Sequence, residues 1–226
     1  MQINVKSNVR QLSRGLSRRQ RRQIPFATSR ALNDTAWQLT QKGGGNSVLG
    51  KKAATTFKKK SGAPGATMHT RRGFKYTKSN KQNLTAWVFW DDDRGDYMSF
   101  QVYGGTRHPN KRYLRVPTKK SNALLNAFGN FREDRVTKIL QDKQKYFEGK
   151  PKGFPNAGAG IWERYGRQTK KGSGQRIRMV ASYEAKAQYK PLYPFAETVR
   201  GYVFGQENAF ARNFRKRLKD ALRTAR

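Results

Sequence analysis

Between Met1 and Trp90 the chain carries 19 lysines and arginines and a single carboxylate, Asp34. No fold of such a segment can neutralise its charge from within, so the surplus must lie on a surface, against solvent or against an anionic partner. The imbalance runs through all 226 residues, with 49 Lys and Arg against 14 Asp and Glu and a formal net charge of +35. A polyanion is the first partner this implies. High charge with low hydropathy also describes disordered chains, but 13 Phe, 10 Tyr and 4 Trp supply the apolar bulk such chains lack. The expectation is a folded protein with flexible basic segments. The absence of cysteine excludes disulfides and thiolate chemistry and suits synthesis inside a cell. No apolar run reaches the roughly 18 residues of a membrane span, and no signal-peptide core opens the chain, so a protein soluble at synthesis is expected.

The densest charge lies at the start. Val9, Leu12 and Leu16 recur at helical spacing, with Arg10, Arg14, Arg18 and Arg22 in a row of fours beside them and Arg19 and Arg21 alongside. This predicts a basic amphipathic helix within an arm over 1–22, whose charged face either is solvated or meets an anion. Residues 23–226 are expected to form one α+β domain. Pro25 suits the first turn of a second helix, with Ala27, Ala31, Leu32, Thr35, Ala36 and Leu39 as a stripe narrow enough for close packing.

Residues 43–83, rich in Lys, Gly, Ser and Thr, read as a loop. Within it Gly45, Gly50 and Lys51 match G-x-x-x-x-G-K, but Lys52 stands where a phosphate-binding loop needs Ser or Thr and the preceding element reads as helix. The match is attributed to chance. Alternation from Leu84 to Trp90 and again through Met98, Phe100 and Val102 predicts a hairpin turning on "DDDRGD", with a bend at Gly104-Gly105 and a short strand in "RYLRVPT". The consecutive aspartates lack calcium-loop spacing and read as local counter-charge. Residues 119–148 read as helical with a break near Gly129, and "IWERYG" and "RIRMVAS" as a strand pair. After Pro194 one long helix is expected, with Phe195, Val199, Val203, Phe210, Phe214, Leu218 and Ala221 on one stripe as core or assembly face. The fold class is thus α+β, a small antiparallel sheet packed with N-terminal and long C-terminal helices.

Catalytic chemistry is hard to find. His69 and His108 are the only histidines, both in loop-like sequence without a carboxylate placed to orient them, and no nucleophile or metal motif is present. No enzyme activity, cofactor or metal is expected.

"IPFATSRALNDTAWQ", "YMSFQVYGGTRHPNKRYLRVPT", "GIWERYG" with "IRMVAS", and "PLYPFAETVRGYVFGQENAFARNFRKRLKDALRTAR" together resemble, in that order, tailed-bacteriophage minor tail proteins of the Z type. The resemblance spans most of residues 24–226 and rests on order and texture rather than one motif. It implies a virion structural protein, a head-tail connector or tail-completion subunit at the neck, in several copies around a ring and with no catalytic residues. Expected partners are other neck, portal or tail proteins, further copies of the chain, and DNA without sequence specificity; no membrane is among them. The basic residues assigned to an anionic partner, whether DNA or acidic protein, are Arg10, Arg14, Arg18, Arg19, Arg21, Arg22, Lys51, Lys52, Lys58, Lys59, Lys60, Arg71 and Arg72. The alternative is a free-standing nucleic-acid-binding protein that does not read sequence, since no recognition helix, zinc finger or RNA-binding aromatic signature is present.

Overall fold

The computed structural model describes residues 2–3, 18–41, 45–91, 97–110, 112–121, 124–166, 176–206 and 208–224. The class is α+β, with helices and small antiparallel sheets. Where one domain over 23–226 was expected, the chain divides into two compact units. Unit 1 comprises Met1–Phe57, Gly65–Val102 and Leu192–Arg226; unit 2 comprises Lys58–Pro64 and Tyr103–Pro191.

Unit 1 is organised by two long helices, α2 (Gln23–Thr40) and α8 (Ala209–Thr224), which pack along each other. Ala27, Ala31 and Ala36 are buried on the α2 stripe, and their small side chains let a neighbouring backbone come close. The buried hydroxyls of Thr28, Thr35 and Thr40 donate to the carbonyls of Ile24, Ala31 and Ala36, one turn back, so polar groups enter the stripe without an unmet hydrogen bond. From α8, Asn213 donates to Thr35 Oγ1 at 2.9 Å and to Gln38 Oε1 at 3.1 Å. Arg217 grips Asp34 with both arms of its fork, Nε to Oδ2 at 2.6 Å and Nη2 to Oδ1 at 3.0 Å. The one carboxylate of the first 90 residues is therefore spent on joining the two helices.

Around this pair lie α1 (Arg18–Arg21), α3 (Val48–Thr56), α4 (Met68–Arg72), α5 (Tyr97–Tyr103, through Val102 in this unit) and α7 (Phe195–Phe204). A three-stranded antiparallel sheet joins them, in the order β1 (Gln2–Ile3), β3 (Ala86–Trp90), β2 (Phe74–Tyr76). The alternation of β3 is as its sequence predicts: Ala86 and Val88 are buried, while Trp87 and Phe89 are exposed. The core gathers Leu32, Leu39, Leu49, Phe74, Val88, Met98, Tyr193, Val199 and Val203. Tyr193 donates its hydroxyl to the Leu49 carbonyl at 2.8 Å, and burial pushes its phenol well up, so it remains a donor.

Unit 2 is built on a four-stranded antiparallel sheet, β5 (Leu114–Pro117), β8 (Arg176–Glu184), β7 (Gly160–Tyr165), β6 (Tyr146–Gly149). The predicted pairing of "IWERYG" with "RIRMVAS" is the centre of this sheet, with a bulge between Ile161 and Trp162. The turn expected between them lies outside the described residues. A second ribbon pairs β4 (Gly105–Arg107) with β9 (Ala187–Tyr189). Helix α6 (Glu133–Gln141) covers a small core of Leu124, Val136, Ile161, Val180 and Ala181.

Four expectations are corrected. The 43–83 segment is loop only in part, since it holds α3, α4 and β2: Ser47 caps α3 by accepting from Gly50 N, and Thr67 caps α4 by accepting from Thr70 N. Gly50 lies inside α3, where a Cβ would stand 2.7 Å from the Gly45 carbonyl oxygen and 2.9 Å from that of Arg71; close backbone packing, not phosphate, explains this glycine. The second hairpin strand is instead α5, because Met98 and Val102 reach the core as an i, i+4 pair. The helix expected over 119–148 shrinks to α6. Asn126 Oδ1 accepts from the backbone of Phe128 and Asn130, with Gly129 at φ +81°, and Asp142 Oδ1 accepts from Lys145 N just past the helix end. The single helix after Pro194 is two, α7 and α8, broken at Gly205 and restarted where Asn208 Oδ1 accepts from Ala211 N.

In unit 2 Glu163 is almost wholly buried and accepts from Arg178 Nε at 2.7 Å, with Lys145 Nζ 3.5 Å away. Burial pushes its carboxyl up, but the hydrogen bond and charge of Arg178, with those of Lys145, outweigh burial and hold it below the usual 4.5. A depressed carboxylate stabilises the fold fully above its unfolded value, and that contribution is lost as pH falls through the folded value. Unfolding by urea should therefore become easier below about pH 4.5, and Glu163→Gln should flatten this part of the profile. An unchanged profile in the variant would remove Glu163 from the account.

Candidate functional site

The structure spreads the sequence-predicted basic residues over both units. In unit 1, Arg18, Arg21 and Arg22 are exposed at α1 and the start of α2; Arg10 and Arg14 lie outside the described residues, as does the side chain of Arg19. Lys51 and Lys52 are exposed on α3, which packs against α4 and so shares its part of the unit with Arg71 and Arg72. Arg71 is turned inward to a structural task. Its Nη2 donates to the Gly45 carbonyl at 2.8 Å and to Asn46 Oδ1 at 3.3 Å, clamping the start of α3 to α4. Lys58, Lys59 and Lys60 belong to unit 2 and are exposed. The described members of the thirteen are therefore divided between the two units.

The assembly stripe divides in the same way. Val199 and Val203 have no exposed surface and belong to the core, Phe195 and Phe210 pack against it, and Phe214 and Leu218 are half-buried. The Phe210 and Phe214 rings stack at 6.0 Å. His69 and His108 are both exposed, and among the described residues no group of three His, Asp or Glu side chains is placed to hold a metal ion. No helix of the described residues is long and apolar enough to cross a membrane.

What the sequence did not single out is a cleft in unit 2 of about 720 Å³, between the β4–β9 ribbon and the outer strand β5. Arg107, Arg112 and Arg115 line it, with Tyr113, Tyr183 and Tyr189 and one acid, Glu148. The sheet assembles it: Arg115 stands opposite Tyr183 in the β5–β8 register, and Arg107 opposite Ala187 in the β4–β9 register. The Tyr113 and Tyr183 rings stack 4.7 Å apart and nearly parallel, at 7°. The Arg112 guanidinium lies over Tyr113, 5.3 Å from the ring centre. At the far end Tyr183 donates its hydroxyl to the Glu148 carboxylate, which also faces Arg115 at 3.9 Å. Burial, then the carboxylate of Glu148, pushes the Tyr183 phenol up, so it stays protonated as a donor.

The result is a stacked Tyr113–Tyr183 pair with the Arg112 guanidinium over Tyr113, anchored by a carboxylate, in a cleft whose described lining carries three positive groups against one negative. Such a surface suits an anion with a flat component. Part of its signal lies in "TRHPNKRYLRVP", where arginines interleave with an aromatic residue. Tyr183, Tyr189 and Glu148 come from strands that only tertiary pairing brings there. No protein-family model, curated protein or solved structure matches the chain.

Proposed function

We propose that the chain is a bacteriophage virion structural protein of the head-tail junction. In this role it is a neck or tail-completion subunit that joins tail to capsid through contacts among copies in a ring and through its basic surface. The observation that carries this reading is the charge. Segments 58–64 and 103–191 hold 24 Lys and Arg against 6 acids, and the rest of the chain 25 against 8, so the surplus belongs to both units rather than to a terminal arm alone. Two of the few acids are already committed within a unit, Asp34 to Arg217 and Glu163 to Arg178 and Lys145. The remaining positive surface needs an extended anion, DNA or the acidic flank of a neighbour, to offset its self-repulsion. The ordered resemblance of four segments to Z-type minor tail proteins names the setting, and the exposed Trp37, Trp87 and Phe89 of unit 1 offer apolar surface for contacts between copies.

An amber codon placed early in the gene of the encoding phage should yield separated or unstable heads and tails under the electron microscope. Adding purified protein to that lysate should join them without nucleotide or metal. Intact particles from the amber lysate would overturn the head-tail reading and leave a free nucleic-acid binder as the better account. The arm is best tested by substitution, because the strand Gln2–Ile3 pairs with Ala86 and Trp87, and deleting 1–22 would strip an edge from the sheet. Arg18→Gln, Arg21→Gln and Arg22→Gln together should leave the fold intact. The salt dependence of partner association should become shallower, by about one power of salt per lost phosphate contact if DNA is the partner. An unchanged slope removes these three residues from the interface.

A further inference from the structure

We propose that the Arg107–Arg112–Arg115 cleft of unit 2 binds single-stranded nucleic acid, the guanidiniums taking phosphates and the Arg112–Tyr113–Tyr183 stack receiving a base. The charge of the cleft sets the sign of the ligand. Its only acid among the described residues, Glu148, is engaged by the Tyr183 hydroxyl and faces Arg115. Arg107 and Arg112 are left with no carboxylate of the cleft beside them. An oxyanion at the cleft can meet forked donors that no acid among the described residues occupies.

The second feature selects among anions. Arg112 is exposed with its guanidinium 5.3 Å from the centre of the Tyr113 ring, and Tyr113, stacked on Tyr183, is itself exposed, so solvent can reach both guanidinium and ring. A nucleobase can extend that stack, since bases pack on guanidinium planes as well as on aromatic rings. A carboxylate peptide would use the charge and leave the flat surface idle. A duplex would use the charge too, but it keeps its base faces inside its own stack and presents phosphates on a convex surface. A single strand is the ligand that satisfies both halves of the cleft. The volume, about 720 Å³, lies within the roughly 300–1,000 Å³ typical of clefts that take small flat ligands, enough for a short stretch of strand rather than a wrapped length.

Tyr113 and Glu148 are positioning residues here. Tyr113 holds the Arg112 guanidinium over its ring, and Glu148 holds Tyr183 stacked against Tyr113. The assignment does not depend on where in a particle the protein sits, and purified full-length chain suffices to test it. A labelled oligothymidylate and a mixed-sequence duplex of equal length are titrated by fluorescence anisotropy, with circular dichroism to verify the fold of each variant. Replacing both Arg107 and Arg112 by Gln should weaken the single strand by about tenfold or more. Removing the same charge from unit 1, with Lys51→Gln and Lys52→Gln, should cost much less. Arg112→Lys keeps the charge and loses the plane, so it should weaken the single strand by about fivefold while leaving the duplex unchanged. Tyr113→Leu, which alters no charge, should act in the same direction.

Equal losses from the cleft pair and the control pair would show that only net charge matters and overturn the site. Arg112→Lys binding the single strand as well as the unaltered protein does would overturn the stacking role. Polyglutamate or duplex competing as well as oligothymidylate would overturn the choice of ligand. If Tyr113→Leu fails to fold, the two arginine substitutions, both at exposed or half-exposed side chains, still decide the matter.

Discussion

Val199→Asp should prevent unit 1 from folding. Val199 lies on α7 with no exposed surface, in the same apolar cluster as Leu32, Phe74, Tyr193 and Val203. A carboxylate there has no cation within the cluster to pair with, and burying it unpaired, or protonating it to avoid that, costs several kcal/mol. Whole domains are stable by only about 5–15 kcal/mol, so most of the margin disappears. The expected result is loss of cooperative thermal unfolding, or a midpoint lower by roughly 15 °C or more, followed by helical circular dichroism. Arg200→Asp, one residue along and exposed, should shift the midpoint by no more than a few degrees. A Val199→Asp protein that melts where the unaltered chain does would mean that α7 is not packed as described.

Gly160→Ala should be nearly as damaging to unit 2, for a different reason. Gly160 sits on β7 opposite Ser182 on one side and Gly149 on the other. A Cβ built there would lie 2.2 Å from the Ala181 carbonyl oxygen and 3.2 Å from its carbon, and both are backbone of the neighbouring strand. No side chain can rotate away to relieve that overlap; β7 and β8 must part, and with them the Ile161 and Ala181 contact of the small core. Overpacking usually costs about 1–3 kcal/mol, and a clash with backbone belongs at or above the upper end. Hydrogen exchange at the amides of β7 and β8 should accelerate strongly. Gly158→Ala is the internal control, since its Cβ would meet only Met179 Cε at 3.7 Å, an ordinary contact. Equal protection in the two variants would refute the packing argument.

The two positions differ in how visible they are beforehand. Val199 stands in a helical stripe that announces burial, whereas nothing local distinguishes Gly160 from Gly158. The same contrast runs through the fold. The α2 stripe, the alternation of β3, the β7–β8 pair and the helix start after Pro194 follow from local periodicity, and each is found in the structure. Where a segment was short the period was ambiguous: Met98, Phe100 and Val102 satisfy a strand, but Met98 and Val102 also satisfy a helix, and packing chose the helix. The Ser47 and Thr67 caps and the Gly205 and Asn208 break are local signals in a segment whose composition otherwise reads as loop or as continuous helix.

By itself the sequence determined the sign and size of the charge, the α+β class and the residues able to supply a core, because composition and short-range periodicity are local properties. Only the tertiary structure decided that the chain forms two compact units, that Asp34 is committed to Arg217, and that Arg71 is a clamp rather than a free cation. It also decided that Arg112 and Tyr113 meet Tyr183 and Glu148 in a cleft. These depend on which strand lies beside which and in what register. That choice is made by burying apolar surface across long separations in sequence, so no stretch of residues read alone contains it.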